Sequence, residues 1–482
     1  MSLTLEFLIQ ALCPQGWDGQ TGGIHPIREA VIDSRRAGPG ALFVALAGEK
    51  TDGHDYVRQA IENGALAALV EREVDVPCAV IDLRPCGEGR RGDVSLQTPV
   101  VLRVENTLPA LQEAARAWMQ SLRTRVIGIT GSVGKTTTKE LIADVLSRQY
   151  QTLRSEGNYN NEIGLPLSVL RLTEAHQRAV LEMGFYVPGE IAFLCGIAPP
   201  KVGVVTLIAP VHLERAGTME AIIQGKGELV EALPPDGVAV LNHDDPRVMS
   251  MTARTRARVL TFGLTPSADV WADQVEGLGL EGVRFCLHHE GDSFRVRLPL
   301  LGRHSVQPAL AAAAVGLVEG MNWHSIIEGL ETSRSQLRLV AVPGPRGSLI
   351  LDDTYNASPP STLAALNLLG DLKQKRRVAV LGDMLELGSY EEEGHRQVGR
   401  QAAAVADLLI TVGERGKIIA REALTAGMPA SAVKALDTAE EAAAFLLEEL
   451  GEGDTALIKG SRAVHMERIV SLLGEETKSG QG

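Results

Sequence analysis

The chain is expected to be an α/β protein of three domains, on three observations. Its 482 residues exceed what one ordinary core accommodates. Short apolar runs recur along it, and a polar, ligand-type residue follows nearly every one, as in open doubly wound sheets that bind ligands beyond their strand ends. One run leads into a glycine-rich turn that ends in Lys-Thr. The predicted parts are a mixed α/β N-terminal domain (1–105), a central doubly wound P-loop ATPase-like domain (106–332) and a C-terminal Rossmann-like domain (333–482).

In the first domain, residues 41–47 form a short apolar strand, 56–63 a helix and 65–70 a second strand. The polar knot Asp33-Ser34-Arg35-Arg36 reads, on composition alone, as a solvated turn. Residues 86–98 carry several glycines and charges and are expected as an exposed loop. A helix at 108–122 leads out of the domain, and the first boundary falls in or near it.

The central domain is organised around Gly128-Ile129-Thr130-Gly131-Ser132-Val133-Gly134-Lys135-Thr136-Thr137-Thr138. Residues 126–129 read as a buried strand, and 139–146 resume with helical spacing. Glycines let backbone wrap closely around phosphates, and amides at the following helix N-terminus point at the anion. Lys135 can reach the terminal phosphates, and the Thr136 hydroxyl is placed for Mg²⁺. The general pattern asks for a glycine where Ile129 stands, yet strand, loop and helix are in the right order. The chain is expected to bind a nucleoside triphosphate.

The same rim gathers further groups. Residues 179–181 lead to Glu182, 202–208 to His212 and Glu214, and 238–241 to Asn242, Asp244 and Asp245. Singly, His212 suits a satisfied or solvated histidine and Glu182 an N-cap neighbour. Together beside a phosphate loop they point to Mg²⁺, which takes few protein ligands and shares its shell with phosphate and water. Residues 155–164, with Asn158, Asn160 and Asn161 around Tyr159, suit a polar, peptide-like ligand as well as a turn-rich connector. Residues 302–318 and 321–330 read as buried helices.

The third domain repeats the strand-end regularity. Residues 349–351 lead to Asp352-Asp353-Thr354-Tyr355-Asn356, 378–381 to Gly382-Asp383-Met384, 408–412 to Gly413-Glu414, and 456–458 to Lys459-Gly460-Ser461-Arg462. This is a second doubly wound sheet without a phosphate loop, able to face the first across a cleft. The tail from Glu475 is expected to be disordered.

Composition sets the outer limits. A formal charge of −13 argues against general nucleic-acid binding and makes any anion site a local arrangement. Five scattered cysteines without Cys-x-x-Cys spacing indicate neither a disulfide framework nor a zinc site. The N-terminus lacks the basic region of a signal peptide, and no apolar run approaches the ~18 residues of a membrane span. A cytoplasmic protein is expected.

These motifs resemble the ATP-dependent Mur ligases over nearly the whole chain. Asp33-Ser34-Arg35 and Asp52-Gly53-His54-Asp55 are similar to the family's UDP-sugar-binding domain, and Thr130 to Thr136 to its ATP loop. GNYNNEIGLP (157–166) is similar to its substrate segment. Glu182-Met183-Gly184 and His212-Leu213-Glu214 are similar to its magnesium-binding segments. DDTYNASP (352–359) and GDMLELG (382–388) resemble the branch that adds D-alanyl-D-alanine to UDP-N-acetylmuramoyl-tripeptide (UDP-MurNAc-tripeptide). The Asp-Asn-Pro-Arg of the diamino-acid-adding sibling is absent.

The resemblance implies ATP-driven amide synthesis through an acyl phosphate, with Lys135, Lys226, His212 and Glu182 as catalytic groups. Thr136 and Glu182 would hold one Mg²⁺. His212 and an N-carboxylated Lys226, in Gly-Lys-Gly-Glu, would hold a second. His304, Arg338 and Asp353 would join residues 130–137 around ATP. Ser34, Arg35, Asn158, Asn160, Asn161, Lys459 and Ser461 would meet the two substrates, UDP-MurNAc-tripeptide and D-alanyl-D-alanine, in a monomer. Ser305 and Pro308 stand where the family usually places asparagines, a departure in the adenine region. Rival readings are a sibling ligase adding another amino acid, or a nucleotide-driven switch or motor; a GTPase switch would show Asn-Lys-x-Asp, which the chain lacks.

Overall fold

Alternating apolar runs and helices build three separate sheets in this computed structural model, which describes residues 2–13, 24–48, 51–84, 98–211, 213–333 and 339–479. His212, Arg338 and all of the expected 86–98 loop except Thr98 lie outside the described residues. The first sheet contains β1 (Glu29–Val31), β2 (Ala41–Val44), β3 (Ala67–Val70), β4 (Ala79–Asp82) and β5 (Val100–Arg103), ordered β1-β2-β3-β5-β4 and parallel throughout. β2 and β3 are buried at every residue. Strands covered on both faces read as continuous apolar runs, so these two were legible.

The helix Leu5–Leu12, capped by Thr4, turns Phe7 onto the edge of Trp118, 5.0 Å between ring centroids. Trp118 lies on the helix Thr107–Ser121 and donates its indole N–H to the Leu172 carbonyl at 3.0 Å. One apolar core therefore runs without a break from Leu3 and Leu8 through Trp118 to Leu167, Leu181 and Met251.

The second sheet comprises β6 (Arg125–Thr130), β7 (Thr152–Arg154), β8 (Arg178–Glu182), β9 (Val202–Val205), β10 (Val238–Asn242), β11 (Arg258–Gly263), β12 (Val270–Gly277), β13 (Val283–His289) and β14 (Asp292–Leu298). Their order is β14-β13-β12-β11-β10-β9-β6-β8-β7. β7 to β12 are parallel, and β12 to β14 add an antiparallel extension. From β6 the chain builds β7 and β8 on one side, then crosses to β9 on the other. The strand order thus reverses at β6, where such sheets bind ligands.

The helix Lys135–Leu146 buries Leu141, Ile142, Val145 and Leu146, each worth about 1.5–3 kcal/mol. Two helices cover it. Val306–Val318 presents the fully buried run Ala309 to Ala314, and Trp323–Glu331 approaches so closely that a Cβ on Gly329 would lie 2.7 Å from the Val145 Cα. This packing fixes the helix that carries Lys135 and Thr136.

The third sheet contains β15 (Val340–Pro343), β16 (Leu349–Asp353), β17 (Arg376–Gly382), β18 (Leu408–Val412), β19 (Val433–Leu436) and β20 (Asp454–Lys459), ordered β15-β16-β20-β17-β18-β19. Only β15 is antiparallel to its neighbour. The sheet has a core on each face, one around Leu366, Val398 and Ile419, the other around Ala442, Leu446 and Ile469. The tail expected to be disordered from Glu475 instead continues the helix Glu467–Ser479. Its buried Ile469 and Leu473 anchor it to that second core. No helix among the described residues is long and apolar enough to cross a membrane.

Candidate active site

β6 ends at Thr130, and the chain then turns sharply. Gly131 adopts φ +148°, and a Cβ there would lie 1.9 Å from the Thr206 Oγ1. Thr206 donates that hydroxyl to the Val133 carbonyl at 2.7 Å, and the Ser132 amide donates to the Leu207 carbonyl at 2.6 Å. Gly134, at φ +86°, opens the helix Lys135–Leu146 without a side-chain cap. The first-turn amides and the positive end of the helix dipole are thus presented to an anion. Ile129, where the general pattern has glycine, is fully buried within β6 and paired with Glu182 of β8; the tight turn falls to Gly131.

Lys135 folds back over this loop, its Nζ donating to the Gly131 carbonyl at 2.8 Å and the Ser132 carbonyl at 3.4 Å. Replacing Gly131 by alanine should raise the dissociation constant for ATP by about tenfold or more, because strain of ~1–3 kcal/mol falls on the loop itself. Calorimetric titration with ATP checks this, and wild-type affinity would refute it.

Glu182, at the end of β8, is 1% exposed. Its carboxylate accepts from Thr136 Oγ1 at 2.9 Å and from Asn160 Nδ2 at 2.9 Å. Both donors are neutral, so they orient the carboxylate without neutralising it, which suits a cation between it and a phosphate. Lys226, on the helix Met219–Glu231, is also 1% exposed and donates its Nζ to the Gly131 carbonyl at 3.1 Å. Burial, with the nearby Lys135, pushes its pKa well below the ordinary lysine range. The Gly-Lys-Gly spelling has a steric reason. A Cβ on Gly225 would strike the Phe185 ring at 1.9 Å, and one on Gly227 would strike the Arg254 guanidinium at 2.0 Å.

Asn242, Asp244 and Asp245, expected on the metal rim, hold the frame instead. Asn242 donates to the Thr206 carbonyl at 2.7 Å, and Asp245 accepts from the Ile208 amide at 2.8 Å. Asp244 accepts from the Leu264 amide at 2.7 Å and from Gln307 Nε2 at 3.0 Å. A further ligand-type group, Asp273, Cys286 and His288, sits on the antiparallel extension, beginning four strands from β6.

A cavity of about 290 Å³ separates the phosphate loop from the third domain. Phe262, His304, Pro308 and Leu339 line it together with Asp353, Lys459 and residues 385–387. Asp353 and Lys459 pair at 2.6 Å, and Lys459 also donates to the Asn356 carbonyl at 2.8 Å. Lys459 therefore stands in the same wall as Asp353. Ser305, in the departing pair, turns its hydroxyl to the Gly302 carbonyl at 2.7 Å. Ser461 accepts from the Leu385 amide at 2.9 Å.

In the first domain Ser34 is buried and donates to Gln59 Oε1 at 2.7 Å, while Arg35, with a side chain 81% exposed, pairs with Asp33. Arg36 reaches across to the Tyr159 hydroxyl at 3.2 Å. Asn160 meets Glu182, Asn161 caps the Gly164 amide at 2.9 Å, and Asn158 is exposed. Sequence reasoning missed two contributors. Phe262 is the penultimate residue of β11, a strand left unread, and as an apolar residue within the strand it carries no ligand-type signal. Lys139 is fully buried and donates to the Ser155 carbonyl at 2.7 Å and the Gly157 carbonyl at 3.3 Å, fastening the asparagine segment to the phosphate-loop helix. A lysine one helical turn beyond Lys135, on a buried face, was its only signal.

Comparison with known proteins adds independent findings. Residues 26–119, 129–316 and 337–462 match the family models described as Mur ligase family, catalytic domain; Mur ligase middle domain; and Mur ligase, glutamate ligase domain. The UDP-N-acetylmuramoyl-tripeptide–D-alanyl-D-alanine ligase of Bacillus subtilis is 35% identical over 456 residues, covering 94% of each chain. The crystal structure of MurF from Acinetobacter baumannii is similar with a TM-score of 0.81 at 33% identity, over 98% of this chain and 99% of that one. MurF from Thermotoga maritima in complex with ADP gives 0.76 at 28% identity, over 94% and 98%.

Proposed function

The chain belongs to the Mur ligase family, and from that membership we propose that it joins D-alanyl-D-alanine to UDP-MurNAc-tripeptide in the cytoplasm, converting ATP to ADP and phosphate. The observation that carries this reading is the convergence of a buried carboxylate, Glu182, and a buried lysine, Lys226, on one phosphate loop that faces a second domain. In this reading residues 1–105 hold the UDP-sugar, 106–332 hold ATP, and 333–482 receive the dipeptide.

A free carboxylate is a poor electrophile. An oxygen of the tripeptide's terminal carboxylate attacks the γ-phosphorus of ATP, the bond to the bridging oxygen breaks, and ADP leaves. The dipeptide amine then attacks the acyl carbon, loses a proton, and inorganic phosphate departs from the tetrahedral intermediate. Lys135, drawn off the Gly131 carbonyl, meets the charge developing on the transferred group, and the first-turn amides hold the other phosphates. Asn160 and Thr136 keep the Glu182 carboxylate in place. Thr136 and Glu182 would hold one Mg²⁺, and His212 with a carbamate on Lys226 a second, supplying positive charge to the phosphates. The neutral Lys226 amine forms that carbamate by adding to the carbon of CO₂ and losing a proton. His304 and Arg338 would contact ATP beside Asp353, and closure of the third domain over the cavity would shield the acyl phosphate from water.

Phosphate release from ATP, measured with UDP-MurNAc-tripeptide and with or without D-alanyl-D-alanine, tests the proposal. Release that needs both, with a pentapeptide product by mass, is expected. Release indifferent to the dipeptide would point to a different amine, and turnover blind to both substrates would overturn the ligase reading.

A further inference from the structure

His395 plays no part in the chemistry above, yet it is fully buried at one end of the GDMLELG segment. It lies on the helix Glu391–Val405. Its Nε2 is 3.0 Å from the Met384 backbone nitrogen, and its Nδ1 is 2.7 Å from the Glu391 carbonyl oxygen. An amide can only donate and a carbonyl can only accept, so the ring is neutral with its proton on Nδ1. Burial lowers its pKa; Asp383, Glu391 and Arg415 are the charged groups that face it.

The segment this ring holds is under tension. Glu386 sits at φ +62°, a left-handed conformation that costs a non-glycine residue energy unless its surroundings impose it. The imposing contacts are few and identifiable. Met384 is pinned by His395, Leu385 donates its amide to Ser461 Oγ at 2.9 Å, and Asp383 accepts from the Gly416 amide at 2.8 Å. Held this way, residues 385–387 form part of the cavity wall opposite the phosphate loop. The same turn touches the central domain, with the Glu386 carbonyl 3.5 Å from the Glu214 amide and its carboxylate 3.9 Å from Arg215. Gly388, at φ +52°, lies against the Glu214 backbone, 3.1 Å from where its Cβ would be.

We infer that His395 is a positioning residue whose neutral imidazole fixes the 384–388 turn, and through it the surface the third domain presents to the ATP cavity and to the 213–216 segment. This inference rests on the ligase reading for its effect on turnover, but not for its effect on the turn. Among the described residues, Cys195 lies against Met183 in the core and Lys139 fastens segments within the central domain.

The test compares His395→Leu, which removes both polar atoms, with His395→Gln, whose side-chain oxygen can still accept from the Met384 amide. Hydrogen exchange of the 384–388 amides and steady-state ligation are measured on the full-length protein. His395→Leu should speed exchange in the turn by about tenfold or more and lower kcat by about 10–100-fold, since displacements near 1 Å have such effects. The affinity for UDP-MurNAc-tripeptide alone should hold within a factor of about 2, because the contacts of the turn named above are with the third domain and with Glu214 and Arg215. His395→Gln should recover exchange and kcat to within about fivefold of wild type. Unchanged exchange in His395→Leu, or a glutamine variant as impaired as the leucine one, overturns the inference. If the leucine variant does not fold, His395→Asn, too short to reach the Met384 amide, takes its place. A wild-type protein that shows no ligation while His395→Leu still loosens the turn refutes the ligase reading and leaves the positioning role standing.

Discussion

Lys135→Met is expected to abolish ATP-driven ligation, with a fall in kcat of about 10³-fold. The apolar replacement retains length and stem packing but removes the only charge the loop itself contributes. In the present structure the ammonium rests on the Gly131 and Ser132 carbonyls, at 2.8 and 3.4 Å. Those contacts are with two backbone carbonyls, so their loss should leave the melting temperature within a few degrees. Single-turnover phosphate release, beside a thermal melt, checks both halves. A variant that folds normally and still turns over ATP within tenfold of wild type would exclude Lys135 from phosphoryl transfer.

The second large effect concerns Lys226. A buried ammonium beside Lys135 is electrostatically unfavourable, and burial pushes the amine toward its neutral, nucleophilic form. The expected consequence is reversible dependence on dissolved CO₂. Stripping CO₂ from the buffer should lower ligation by about tenfold or more at low occupancy of the carbamate, and bicarbonate should restore it. Lys226→Met should lose about 10²–10³-fold and be indifferent to CO₂. A carbamate resonance from ¹³C-labelled bicarbonate, present in wild type and absent in the variant, gives the direct readout. Full activity in CO₂-free buffer would leave Lys226 as a plain buried lysine.

The three-sheet architecture was legible where strands are covered on both faces. β6, β9, β18 and β20 are buried at nearly every position and stand out as apolar runs. The phosphate loop was legible because few other uses need Gly-x-x-Gly-Lys-Thr between a strand and a helix. The antiparallel extension was not, since β12 and β14 have one wet face and mix charges among apolar residues. Carboxylate roles were the hardest to read. Glu182 and Asp245 both follow buried strands, yet one faces the phosphate-loop threonine and the other holds the Ile208 amide. Both are carboxylates at or just beyond the end of an apolar run, and the geometry of the loops decides what each one meets. Lys139 escaped for a related reason, because a lysine on a helix reads as solvated until the carbonyls it meets are located.

The continuous core that runs from Leu3 through Trp118 to Met251 has a bearing on heredity as well as on mechanics. Mutations in the Phe7–Trp118 contact are felt by the first and central domains together, so those parts are constrained to change in concert. The third domain has a core on each face of its own sheet, so changes inside those cores are felt mainly within it. In the proposed reading, the module that receives the dipeptide is therefore the one whose interior can change with least effect on the other two. In that reading, a new acceptor arises through changes inside the third domain that spare the surface it turns to the phosphate loop.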